Sequence, residues 1–121
     1  MKEIKVGTVF SGIGSPEQAL KRLNVPHKVM FACDNGERLI TCDYKEELAK
    51  IKKLSSAKEK REYVDKLYAE RTRQNNYVQQ SYLANYPVED DNFYQDVILL
   101  DGTDFENKVD LFVGGSPCQS F

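Results

Sequence analysis

Among 121 residues there are one histidine, three cysteines and four prolines. No apolar run approaches the roughly 18 residues of a membrane span. The amino-terminal Met1-Lys2-Glu3-Ile4-Lys5 has no signal-peptide core. Cys33, Cys42 and Cys118 are odd in number and separated by 9 and 76 positions. That argues against a disulfide framework and for a reducing, cytoplasmic compartment. There is no C-x-x-C, no H-E-x-x-H and no acidic calcium loop, so no metal is expected. A large excess of basic charge is missing too. The formal net charge is −2 and the pI about 5.5, whereas a dedicated DNA-binding module usually has a basic face and a high pI.

What is present fits one domain, or a piece of one, with a polar surface. The charge is unevenly placed. Residues 45–73 carry a net +4 and residues 89–110 a net −7, which reads first as a mixed, solvated surface.

Ile4 to Phe10 is β-branched and apolar and reads as a buried strand. It runs into Ser11-Gly12-Ile13-Gly14-Ser15-Pro16, with Ser15 as expected helix cap and Pro16 at the first helical position. The helix that follows puts Ala19, Leu20 and Leu23 on one face. A second strand, Val29 to Cys33, ends at Asp34. Strand, glycine turn, helix, strand and acidic residue make the first βαβ unit of an open α/β sheet. Further strands are expected at Val97–Leu100 and Lys108–Val113. Glu37–Leu54 and Lys58–Leu83 read as helices broken at Ser55-Ser56, with Tyr63, Leu67, Tyr77 and Tyr82 as a packing stripe.

Gly12 and Gly14 lie at the carboxyl end of the first strand, where missing side chains let a ligand approach the backbone amides. The pattern is G-x-G with Glu17 at the third glycine position, and an acidic side chain there disfavours a pyrophosphate. Asp34, 22 residues beyond Gly12, suits a ribose-binding carboxylate and suits a helix cap equally. A free cysteine is ordinarily a small buried hydrophobe, which covers Cys33 and Cys42. Cys118 differs, because Gly114-Gly115-Ser116-Pro117-Cys118-Gln119 is a turn leaving a buried strand at the ligand-binding edge. Lone His27 lies 91 residues away and reads as an ordinary turn residue.

Phe10-Ser11-Gly12-Ile13-Gly14, followed by Gly114-Gly115-Ser116-Pro117-Cys118-Gln119-Ser120-Phe121, closely resembles the cytosine-C5 DNA methyltransferases. The first matches that family's F-x-G-x-G cofactor loop and the second its G-x-P-C-Q nucleophile loop. Gln95-Asp96-Val97 resembles its third cofactor motif, usually Gly-Asp followed by Ile or Val. The resemblance covers residues 4–44 and about 81–121, leaving a helical insertion at about 45–80. For the insertion a solvated hairpin is expected rather than a DNA clamp.

The resemblance implies an α/β, Rossmann-like methyltransferase fold that binds S-adenosylmethionine. Phe10, Ser11, Gly12, Ile13 and Gly14 would line the cofactor. Asp34 would hold the ribose hydroxyls, Asn35 would lie against the adenine, and Asp96, preferred over Asp101, would accept from its amino group. Asn35 stands where the family often has an aromatic or apolar residue. Cys118 would be the catalytic nucleophile, with Ser116, Pro117 and Gln119 against the substrate. Double-stranded DNA is the expected partner, mostly through residues beyond this chain, since the sequence stops before the family's later motifs and target-recognition domain. The chain is thus expected to be the amino-terminal part of a catalytic domain, joined by its remainder in cis or in trans. Alone it is expected to be inactive and poorly stable. A non-catalytic S-adenosylmethionine- or nucleotide-binding module, a subunit of a split enzyme, and tRNA cytosine methylation remain alternatives.

Overall fold

The computed structural model describes residues 2–12 and 14–114. Four parallel strands form the sheet in the order β3-β2-β1-β4, an α/β arrangement compatible with a Rossmann-like fold. β1 is Ile4–Val9, β2 His27–Cys33, β3 Phe93–Tyr94 and β4 Leu111–Gly114. The helices are α1 (Ser15–Arg22), α2 (Tyr44–Lys52), α3 (Ala57–Arg71) and α4 (Tyr77–Asn85).

Strands buried on both faces read as apolar runs, and β1 and β2 follow that rule. The register carries one irregularity. Val6 pairs with Val29 but Gly7 with Phe31, so Met30 is an extra residue on β2. The bulge sorts the side chains of β2 between two cores. Phe31 and Cys33 join Val9, Tyr94 and Phe105 in one core, while Val29 and Ala32 join Tyr82, Val88 and Phe93 in the other. A third cluster, Ile51, Val64, Leu67, Tyr68 and Leu99, lies among α2, α3 and the segment after β3.

Several expectations are corrected. Gly14, not Ser15, caps α1. Its φ of 80° is left-handed, and a Cβ there would lie 2.3 Å from a ring carbon of Tyr86. On α1 it is Glu17 that is buried, while Ala19 and Leu23 face outward. The long first helix begins only at Tyr44, where Asp43 accepts from the Glu46 amide. The break at Ser55-Ser56 is present, with Ser56 capping α3. A second break at 72–76 separates α4, capped by Asn76. Tyr63, Leu67 and Tyr82 pack as expected, but Tyr77 is 69% exposed. Val97–Leu100 is a turn rather than a strand. The Asp96 carboxylate takes the Ile98 amide, and Leu99 turns into the third cluster.

α3 is bound to the segment after β3 by charge as well as by apolar contact. Buried Lys60 on α3 donates to Asp101 at 3.0 Å and to Asp104 at 2.9 Å. Burial alone would lower the Lys60 ammonium, but the two carboxylates outweigh it and hold it above its ordinary range. Asp101 is held low chiefly by its bonds from Thr103 and then by Lys60. Removing one member of such a cluster typically costs about 3 kcal/mol, because the partners stay buried without a counter-charge.

Candidate functional site

The carboxyl end of β1 is fastened to that of β2 through Ser11. Its amide donates to the Cys33 carbonyl at 3.0 Å and its hydroxyl accepts from the Cys33 amide at 3.1 Å. The same hydroxyl bonds Thr8 Oγ1 at 2.6 Å. Ser11 is therefore buried beneath the loop and does not line the cavity described below. Phe10, directly before it, has a φ of 52°. A bulky residue in that left-handed region costs on the order of 1 kcal/mol. The turn leaves the ring half-exposed at the mouth of a cavity.

That cavity holds about 370 Å³ and gathers Phe10, Asp34, Asn35 and Asp96 from three separate loops. The Asp34 carboxylate accepts from the Gly12 amide at 2.9 Å and the Gly36 amide at 2.8 Å. Two backbone donors leave lone pairs on both oxygens for a further donor. Asn35 accepts from the Glu37 amide through Oδ1 at 2.9 Å. Asp96, at the end of β3, accepts from the Tyr68 hydroxyl at 2.6 Å and the Ile98 amide at 2.9 Å. Asp101 does not share the cavity and pairs with Lys60 instead. Exposed Val97, Ile98 and Leu39 supply apolar wall.

An adenosyl group fits this donor and acceptor set. Two carboxylates, Asp34 and Asp96, and the apolar side chains of Phe10, Leu39, Val97 and Ile98 line the cavity, and the volume falls in the usual range for small-molecule sites. At Gly12, with φ 54°, a Cβ would meet no other atom closer than 4.0 Å, so the backbone there faces open space that a ligand can enter. Gly14 is different, packed against Tyr86 and lining a separate hollow beside α1. Glu17 does not line the cavity either. It is fully buried on α1.

Residues that the sequence did not single out complete the wall: Arg38, Tyr44 and, from α3, Tyr68. The Arg38 guanidinium lies 4.7 Å from the Tyr68 ring centroid, a cation–π contact. No sequence signal pairs the Tyr68 hydroxyl with Asp96.

Ile13, Ser116, Pro117, Cys118 and Gln119 lie outside the described residues. β4 leads toward the last four, pairing with β1 from Val6–Leu111 to Val9–Gly114. The other two cysteines are poor nucleophiles. Burial, and then the carboxylates of Asp96 and Asp34, push the Cys33 thiol far up, and burial and Glu47 raise Cys42. His27 bonds the Val25 carbonyl at 2.8 Å at the start of β2. Among the described residues no group of three or more His, Cys, Asp or Glu could hold a metal ion, and no helix is long and apolar enough to cross a membrane.

The packing of tyrosines among the helices and the sheet predicts an alkaline transition. Burial raises Tyr44, Tyr68, Tyr82 and Tyr94, the last to about 12. Tyr63 rises to about 12 chiefly because it donates to Glu47 at 2.5 Å. In the unfolded chain these phenols ionise near pH 10. Their contribution to stability is therefore complete below about pH 10 and lost as pH rises through the folded values. Absorbance at 295 nm is expected to show masked tyrosines that ionise together with loss of helical circular dichroism. Smooth ionisation of all seven tyrosines near pH 10 with helices intact would contradict this.

No curated protein and no solved structure matches the chain. Residues 68–121, from the last turn of α3 through Asp96 and β4 to the last residue, match the family model of the C-5 cytosine-specific DNA methylases, the same family that the two loops resemble.

Proposed function

We propose that the chain is the cofactor-binding and nucleophile-bearing part of a DNA cytosine-5 methyltransferase. The carrying observation is the cavity that unites Phe10, Asp34, Asn35 and Asp96 at the carboxyl edge of a parallel sheet, where open α/β folds take ligands. Asp34 would accept from the ribose hydroxyls and Asp96 from the adenine amino group. S-adenosylmethionine, when bound, supplies an electrophilic methyl on a sulfonium. The substrate cytosine is flipped out of duplex DNA, since its reacting carbons are shielded in the stack.

Cytosine C5 is a weak nucleophile unaided, so the reaction calls for covalent help. The Cys118 thiolate adds to C6, and the electron pair pushed to C5 takes the methyl. The C5 proton then leaves, the C6–S bond breaks, and the ring regains its aromaticity. An ordinary thiol is only about 3% thiolate at pH 7, so Cys118 requires a neighbouring positive charge or donor. Ser116, Pro117 and Gln119 would hold the base beside it. Most DNA contacts would come from residues outside this chain, in cis or in trans, in keeping with its acidic balance.

The direct test is calorimetric titration of the chain with S-adenosylhomocysteine. Saturable one-to-one binding, displaced by S-adenosylmethionine, is expected. Heats no different from dilution would overturn the cofactor assignment.

A further inference from the structure

We propose that Tyr68 on α3 is a positioning residue of the cofactor pocket, one that sets Asp96 to select an exocyclic amino group. The inference rests on the adenosyl-binding reading above and adds a source of base specificity to it.

Asp96 is gripped from two sides, by the Tyr68 hydroxyl on Oδ2 and the Ile98 amide on Oδ1. Both are donors, so the carboxylate keeps its acceptor character and a fixed orientation toward the cavity. A carboxylate so held welcomes a ligand N–H and leaves a ligand carbonyl facing unpaired negative charge. Tyr68 itself is buried and pinned under the Arg38 guanidinium, whose Nε donates to the Asn35 carbonyl at 3.0 Å.

A second, independent connection comes from Gln95, which stands where the resembled motif usually has glycine. Its side chain is buried, accepts from Arg38 and from Asn76 Nδ2 at 2.7 Å, and donates to Gln79 at 2.8 Å. Asn76 Nδ2 also donates to the Asp34 carbonyl at 2.9 Å. Residues at 68, 76 and 79 thus fasten the ends of both β2 and β3, which carry the two cavity carboxylates.

The experiment is calorimetric titration of the chain, Tyr68→Phe and Gln95→Gly with S-adenosylhomocysteine and with S-inosylhomocysteine, in which a carbonyl replaces the adenine amino group. The unsubstituted chain is expected to prefer the adenosyl ligand by about tenfold or more. Tyr68→Phe should weaken the adenosyl ligand by about tenfold and the inosyl ligand by less than about twofold, collapsing the preference. Gln95→Gly should narrow the preference in the same sense and serves as the readout if Tyr68→Phe does not fold by circular dichroism. Equal losses for both ligands would make the contacts merely structural and overturn the proposal. An unchanged preference in the folded variants would do so as well. Asp34→Ala separates the two levels: loss of both ligands on that change, with no base preference in the parent, leaves the cofactor reading standing and removes this one. Binding of neither ligand by the parent removes both.

Discussion

Asp34→Ala is expected to weaken S-adenosylhomocysteine binding by about a hundredfold or more, and Asp34→Asn by nearly as much. The carboxylate has two jobs that the variants separate. It accepts the Gly12 and Gly36 amides, which shapes the loop, and its remaining lone pairs face the cavity. Alanine removes both functions and leaves two amides without their acceptor. Asparagine keeps one acceptor oxygen but brings an NH₂ group, which repels one of those amide donors and accepts nothing from a ribose hydroxyl. A helix cap would behave differently, since asparagine caps as well as aspartate does. The comparison therefore decides between the two roles that the sequence left open for this residue. Titration calorimetry supplies the affinities, and circular dichroism shows whether the loop change has spread to the helices. Full affinity in Asp34→Asn would remove Asp34 from the ribose site.

The parts of the fold that sequence revealed are those in which local composition and tertiary environment agree. β1 and β2 are apolar because they are buried on both sides, and the Ser56 cap is a property of one residue and its neighbours. β3 fails that test. It is two residues long, and the more apolar run beside it, Val97–Leu100, is a turn because Leu99 has a place in the cluster beneath α3 and Asp96 captures the Ile98 amide. The helix break at 72–76 has no glycine or proline to mark it, only the capping Asn76. Of the cavity residues, Asp34 was legible from the end of a strand, and Phe10 and Asp96 only from the resemblance of their motifs. Tyr68 was not, because an inward tyrosine on a charged helix has the same local pattern whether its hydroxyl meets a carboxylate or water.

In an enzyme that carries this chain as its amino-terminal part, Cys118→Ser is expected to reduce methyl transfer by roughly ten-thousandfold or more, the scale seen when a catalytic nucleophile is removed. Cofactor affinity should stay within a few-fold, because the cavity at Asp34 and Asp96 is built from other residues. Cys33 and Cys42 offer no substitute, since burial and nearby carboxylates hold their thiols protonated. The decisive form of the test uses a duplex carrying 5-fluorocytosine with S-adenosylmethionine. After thiolate addition and methyl transfer, C5 holds fluorine and methyl and has no proton to release. The C6–S bond cannot then be expelled, and the protein stays on the DNA through denaturation. Intact mass should show that adduct with Cys118 and none with serine. The same mixture with this 121-residue chain alone measures how much of the site it builds. An adduct that persists in Cys118→Ser would move the nucleophile elsewhere. Loss of S-adenosylhomocysteine binding in that variant would place Cys118 in the cofactor site rather than at the base. Transfer to tRNA with no adduct on duplex DNA would keep the chemistry and change the substrate.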